Sequence, residues 1–223
     1  MGDHRQSSSP RLAAERSSSP RLAAEQSSSP QLAREPNPPL VLASASPQRR
    51  AILQRLGVAF EVRPTDVAEL ERGEPAAVAA ENAMRKARAA QRPDTPEAVL
   101  GVDTLVTLAG EIYGKPADEH QARATLAALS GATHRVLSGV ALLLPGGEER
   151  TTVAATKVTF RALSGELLDW YVAAGEWRDR SGGYAIQGRG SVLTRAIDGD
   201  IQNVVGLPLG ALLDLYPELL PCK

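Results

Sequence analysis

The sequence predicts an α/β fold, a mixed β-sheet flanked by helices, over residues 37–223. Three observations predict it. Short apolar runs alternate with segments of helical period. Two of the longer runs flank a Pro-Gly-Gly turn, which makes a hairpin and hence an antiparallel pair. Cap signals close the helical segments on both sides. Strands and helices interleaved in this way, with hairpins among them, point to a mixed sheet rather than a purely parallel winding.

The elements follow in order along the chain. Residues 40–43 (LVLA) form a compact apolar run that reads as a buried strand. It feeds Ser46-Pro47, a helix N-cap with proline at the first helical position. Ile52, Leu53 and Leu56 then share a face, and Gly57 stops the helix. Val58, Phe60 and Val62 alternate as a second strand. A longer helix covers residues 74–90. Residues 99–102 make a strand, and 105–113 a strand pair turning near Gly110. Asp118 with Gln121 resembles a capping box that opens a helix with Ala122, Leu126 and Leu129 on one face, ended by Gly131. Residues 136–144, the turn Pro145-Gly146-Gly147 and residues 151–160 form a long hairpin. Ser164 opens a helix through Leu167, Leu168 and Tyr171, closed by Gly175. A glycine-rich stretch follows, and residues 204–208 (VVGLP) lead into a last helix.

Residues 1–36 differ in kind. SSSPRLAAER recurs as SSSPRLAAEQ and then as SSSPQLAREP. Each ten-residue copy offers one leucine to bury, and Ser-Pro every ten residues interrupts a continuous helix. The expectation is a disordered segment. Glu15, Glu25 and Glu35 count against an organelle-targeting arm, because transit peptides are poor in acid.

Composition narrows the function. A formal net charge of −1 leaves no excess of Lys and Arg to coat a nucleic acid, so no nucleic-acid partner is expected. The single cysteine, Cys222, excludes a disulfide framework or a Cys-based zinc site within the chain and fits a reducing compartment. No run approaches the roughly 20 apolar residues of a membrane span, and no apolar stretch of a secretory signal follows Met1. The expectation is a soluble, cytoplasmic protein without a membrane partner.

Three segments are candidates for chemistry. In Ser44-Ala45-Ser46-Pro47-Gln48-Arg49-Arg50 a strand runs into a helix N-terminus, where free N–H groups and the dipole favour a phosphate. The same residues also serve a plain N-cap with solvated arginines. In Gly101-Val102-Asp103-Thr104 an acid stands at the carboxyl end of an apolar strand, where α/β sheets hold ligands; such an Asp is equally a common turn residue. Lys86 and Lys115 read, taken singly, as solvated cations. In residues 182–190 (GGYAIQGRG) dense glycine lets backbone approach a ligand, and the Gln187 amide can both donate to and accept from a base edge; the alternative is a mobile loop. His4, His120 and His134 show no metal-ligand spacing.

Together these segments resemble the Maf family over residues 40–215. LVLASASPQRRAILQRLGVAFEV is similar to that family's SxSPRR opening, and GVDTLV, IYGKP, LSGATHRVLSGVAL, TKVTF, GGYAIQGRG and NVVGLPL follow in the family's order. The resemblance implies an elongated fold like that of inosine-triphosphate pyrophosphatase, with two lobes around a cleft. It implies hydrolysis of a nucleoside triphosphate to monophosphate and pyrophosphate, with Mg²⁺ or Mn²⁺ as cofactor. By position, Ser44, Arg49, Lys86, Thr104, Lys115 and Gln187 would bind substrate, Glu69 and Asp103 would hold the metal, and Asp103 would activate water. The GGYAIQG loop resembles the dTTP/UTP branch, and the resemblance also raises a homodimer. The alternative is a Maf-like scaffold or regulatory protein without catalysis. One position departs from the pattern. Gln48 stands where the family has its first arginine, which predicts one lost phosphate contact; Arg50 points elsewhere on the helix and does not replace it.

Overall fold

The computed structural model describes residues 38–220, so the expectation for the repeats at 1–36, like Cys222, lies outside the described residues. Seven strands form one sheet in the order β2-β1-β3-β5-β6-β7, with β4 also beside β3. They are β1 Leu40–Leu42, β2 Phe60–Val62, β3 Ala98–Leu108, β4 Glu111–Tyr113, β5 Thr133–Leu143, β6 Glu149–Phe160 and β7 Thr194–Asp198. β1 pairs parallel with β2 and β3, and all other pairings are antiparallel. The sheet is therefore mixed, as the hairpin pattern requires. Among the described residues no helix is long and apolar enough to cross a membrane.

Helices cover both faces, and strand alternation dictates which residues each one meets. α1 (Pro47–Arg55), α5 (Ile201–Val205) and α6 (Leu209–Leu215) lie with the even-numbered residues of the two central strands. There Leu100, Val102, Val140 and Leu142 pack with Leu53, Leu207 and Leu212. Farther along the same face, Val106, Val136, Val158 and Phe160 meet α3 (Glu119–Leu129) and α4 (Gly165–Ala173) through Leu126, Leu129, Leu168 and Tyr171. α2 (Pro75–Ala90) takes the odd-numbered face, where Ala83 and Ala87 pack on Val99 and Ala141.

α2 approaches unusually closely, and two glycines permit it. A Cβ at Gly101 would lie 2.1 Å from the Ala83 carbonyl oxygen, and one at Gly139 would lie 2.1 Å from that of Ala79. These residues stand on adjacent strands, with Asp103 paired to Gly139 in the ladder. Small side chains on the helix, and no side chain at Gly101 and Gly139 on the sheet, bring the α2 backbone against β3 and β5. Side chains of α2 thereby reach the middle of β3.

The caps form as their residues dictate. Ser46 Oγ accepts from Arg49 N at 3.4 Å, Asp118 Oδ1 from Gln121 N at 2.7 Å and Ser164 Oγ from Leu167 N at 3.2 Å. The capping box differs from the expected form, because Gln121 Oε1 accepts from Ala117 N rather than from the cap residue itself.

Two expectations need correction. β3 runs unbroken through Asp103 and Thr104, where the sequence suggests a strand ending at 102 and a second one from 105. Pairing with β5 from Val99↔Leu143 to Thr107↔Arg135 carries the polar pair inside the ladder. β7 and α5 are additions. TRAID has little apolar content because β7 is a largely exposed strand at the sheet edge, held by backbone pairing to β6.

Candidate active site

The site lies at a notch in the sheet. β5 occupies one edge of β3 throughout, while the other edge is shared by β1, paired as far as Leu100, and β4, paired from Val106. Among the described residues, 101–105 of β3 have no strand on that side. A cavity of about 970 Å³ opens there, lined by Ser44 to Arg49, Glu69, Asn82, Lys86, Asp103, Thr104, Lys115 and Tyr184 among others. That volume lies at the upper end of the roughly 300–1,000 Å³ typical of small-molecule sites. Asp103 thus sits in mid-strand rather than at a strand end, yet it borders the cavity because the neighbouring strand stops short.

Alternation sends consecutive side chains of β3 to opposite faces. Asp103 points toward α2. Its Oδ1 lies 2.6 Å from Lys86 Nζ, and its Oδ2 accepts from Asn82 Nδ2 at 3.2 Å. Lys86 Nζ also lies 2.7 Å from Glu69 Oε1, so one ammonium gathers both carboxylates. Asn82 and Lys86, one turn apart, share a face of α2. Asn82 further pins the Glu69 loop, accepting from Leu70 N at 2.7 Å and donating to Leu70 O at 3.0 Å.

Thr104 points the other way, toward α1. Its Oγ1 shares a hydrogen bond of 2.8 Å with Ser138 Oγ and accepts from Arg49 Nη2 at 3.1 Å. Arg49 is 9% exposed and donates twice more, from Nη1 to Ser44 Oγ at 2.8 Å and from Nε to Gly206 O at 2.8 Å. Ser44 Oγ also accepts from Ser46 N at 3.2 Å. All acceptors of Arg49 are neutral, and among the described residues no carboxylate pairs with it. Burial lowers the Arg49 pKa below its ordinary value, and the negative charge of Asp103, then of Glu69, opposes that shift. A buried cation held by neutral dipoles beside an open cavity is a strong anion attractor.

The cavity thus brings together Ser44, Arg49, Glu69, Lys86, Asp103, Thr104 and Lys115, the last an exposed side chain on its rim. Gln187 is not brought in. It is exposed and lies outside the cavity lining, at the N-cap of the 3₁₀ turn Gly188–Leu193. The residue of its loop that does line the cavity is Tyr184, whose hydroxyl meets His134 Nε2 at 2.9 Å. Both rings are buried, which raises the Tyr184 pKa and lowers that of His134 to about 4.

Several residues escape the sequence reading. Asn82 had a usable signal, a poor helix former inside an alanine-rich helix and four residues before Lys86. Ser138 becomes visible only through the β3–β5 register, which sets it opposite Thr104. Gly206, at φ 128°, ends α5 and turns its carbonyl to Arg49, so the NVVGLP segment joins the site as well as leading to a helix.

A family model described as Maf-like protein matches residues 39–219. A dTTP/UTP pyrophosphatase of Moorella thermoacetica is 49% identical over 173 residues, 76% of this chain and 89% of that relative. One from an Anaeromyxobacter species is 47% identical over 181 residues, covering 79% and 87%. One from Pyrococcus furiosus is 41% identical over 180 residues, covering 79% and 93%.

Proposed function

Because this chain belongs to the Maf family, we propose that its notch hydrolyses a nucleoside triphosphate, dTTP or UTP, to the monophosphate and pyrophosphate. One observation carries the reading beyond kinship: a buried arginine, without a carboxylate partner among the described residues, lies across β3 from a carboxylate pair gathered on a lysine. Such a site separates a place for anionic oxygens from a place for proton acceptance.

In this reading Arg49, with Ser44 and Thr104 holding its fork, binds phosphate oxygens and spreads their charge. Lys86 and Lys115 add cations along the polyphosphate. Water attacks the α-phosphorus, the bond from that phosphorus to the oxygen bridging the α- and β-phosphates breaks, and pyrophosphate leaves. Asp103, held in orientation by Asn82, accepts the proton of the attacking water. Tyr184 brings the GGYAIQG loop to the cavity wall.

The donor set also fits Mg²⁺ or Mn²⁺. Glu69 and Asp103 offer hard oxygens converging on one point, now met by Lys86 Nζ. Among the described residues no group of three or more His, Cys, Asp or Glu could hold a metal by itself. Two carboxylates with substrate phosphates and water completing the shell is the habit of Mg²⁺ rather than of a closed protein cage. When bound, such a cation would neutralise phosphate charge and acidify water. The reading includes a cytoplasmic homodimer, whose mass light scattering checks.

The test is a panel of triphosphates with Mg²⁺ and product identification. Monophosphate plus pyrophosphate from dTTP and UTP is expected, with Asp103→Asn lowering kcat by at least about a hundredfold. Orthophosphate as product would overturn the reaction type. No release above that of Asp103→Asn from any triphosphate would leave a scaffold.

A further inference from the structure

We infer that Arg180 is a phosphate-binding residue of this cleft, occupying the place beside α1 where Gln48 carries no charge; the inference rests on the hydrolase reading above. Gln48 is the second residue of α1 and lines the cavity, as does Arg180. The amide orientation that satisfies both neighbours has the Gln48 nitrogen donating to Ser46 Oγ at 3.0 Å. The amide oxygen then accepts from Arg180 Nη1 at 3.1 Å and from Nη2 at 3.0 Å. Arg180 Nε donates to Glu176 O at 3.0 Å. Every acceptor of this guanidinium is neutral, and among the described residues no carboxylate pairs with it.

Its neighbour is differently engaged. Arg178 reaches Glu119 at 3.5 Å and stacks over Trp177 at 4.6 Å. Arg180, by contrast, without a carboxylate partner among the described residues, brings its charge to Gln48 in the first turn of α1, next to Arg49 in sequence. The segment that carries it is fastened to the site. Ser181 Oγ donates to Thr104 O at 2.8 Å, Gly182 N to Gly114 O at 3.0 Å and Gly183 N to Arg180 O at 3.0 Å. Arg180 is therefore delivered by a tethered turn that borders both β3 and the Lys115 loop.

The chemistry of position 48 explains the arrangement. A carboxylate there would neutralise Arg180, and an arginine would repel it. A glutamine carbonyl holds the fork with a single neutral acceptor, which a phosphate oxygen can replace with a stronger, charge-assisted and bidentate contact. The apparent loss of a cation at Gln48 is then made good from a distant part of the chain.

The full chain with Mg²⁺, titrated calorimetrically with inorganic tripolyphosphate, tests this without requiring turnover. Arg180→Gln is expected to weaken binding about tenfold, and adding Gln48→Arg to that variant to recover most of the loss. Gln48→Arg alone is expected to bring no gain, since two guanidinium groups then compete for one place. Wild-type affinity in Arg180→Gln would overturn the inference. So would a loss that Gln48→Arg fails to recover, which would make Arg180 a structural residue, or a tenfold gain from Gln48→Arg alone, which would make the place vacant. Lack of pyrophosphate release by the wild type would sink the hydrolase reading and leave this titration to judge Arg180 separately.

Discussion

At the scale of single residues, Arg49 and His134 show opposite ways of burying a titratable group. Arg49 stays charged because three oxygens surround it, and those bonds use geometry that only a planar fork possesses. Arg49→Lys keeps the charge but leaves acceptors without donors. It should lower kcat/KM for dTTP at least about tenfold and reduce stability by about 1–3 kcal/mol, read from initial rates and urea midpoints. His134 instead stays neutral. Its Nδ1 has no hydrogen-bond partner among the described residues, Phe160 packs edge-on at 4.7 Å, and its pKa falls to about 4. In the unfolded chain the ordinary value is about 6.5, so as pH falls the unfolded state takes up the proton first. The stability from neutral His134 is complete above about pH 6.5 and is lost between there and about pH 4, at up to about 1.4 kcal/mol per pH unit. Urea unfolding at a series of pH values should show this slope in the wild type and a flatter one in His134→Gln. Equal slopes would contradict the assignment.

At the scale of elements, α2 on β3 decides whether the site exists. Asn82 and Lys86 reach Asp103 only because the helix backbone lies against Gly101 and Gly139. Gly139→Ala would force α2 outward, so it should cost at least about 1–3 kcal/mol and lower kcat, although position 139 lines no part of the cavity. Gly210→Ala, inside α6 with nothing within 4 Å of its added Cβ, should instead stabilise by about 0.5–1 kcal/mol. Differential scanning calorimetry of both variants checks the pair. Most elements were legible in the sequence because their caps and faces are local: Ser46-Pro47, Asp118 and Ser164 each open the helix they announce. β7 was not legible, since an edge strand stabilised by ladder bonds to β6 needs no apolar pattern of its own. Nor was the unbroken run of β3, whose polar centre reads as a break until β5 is known to pair across it.

For the molecule as a whole, the order of segments told more about the site than any one of them. Ser44, Arg49, Lys86 and Asp103 were nameable in advance, and their meeting follows from chain order together with the sheet topology. Ser138, Gly206 and Arg180 were hidden, because what each does depends on a partner far away in sequence, while Asn82 showed only as a poor helix former among alanines. Gln187, conspicuous in its glycine-rich loop, lies off the cavity wall. The alternation within β3 also sets limits on how such a chain can vary in length. Asp103 and Thr104 serve different halves of the cleft solely because one is odd and the other even in the strand. One residue inserted just before Asp103, with the pairing up to Val102 kept, would leave every named side chain in the sequence, yet move the carboxylate to the arginine side and set the inserted residue before the lysine. Such an insertion should abolish pyrophosphate release, whereas one in the 145–147 turn should leave it intact. Parity along a single strand is as much a part of this chemistry as the carboxylate itself.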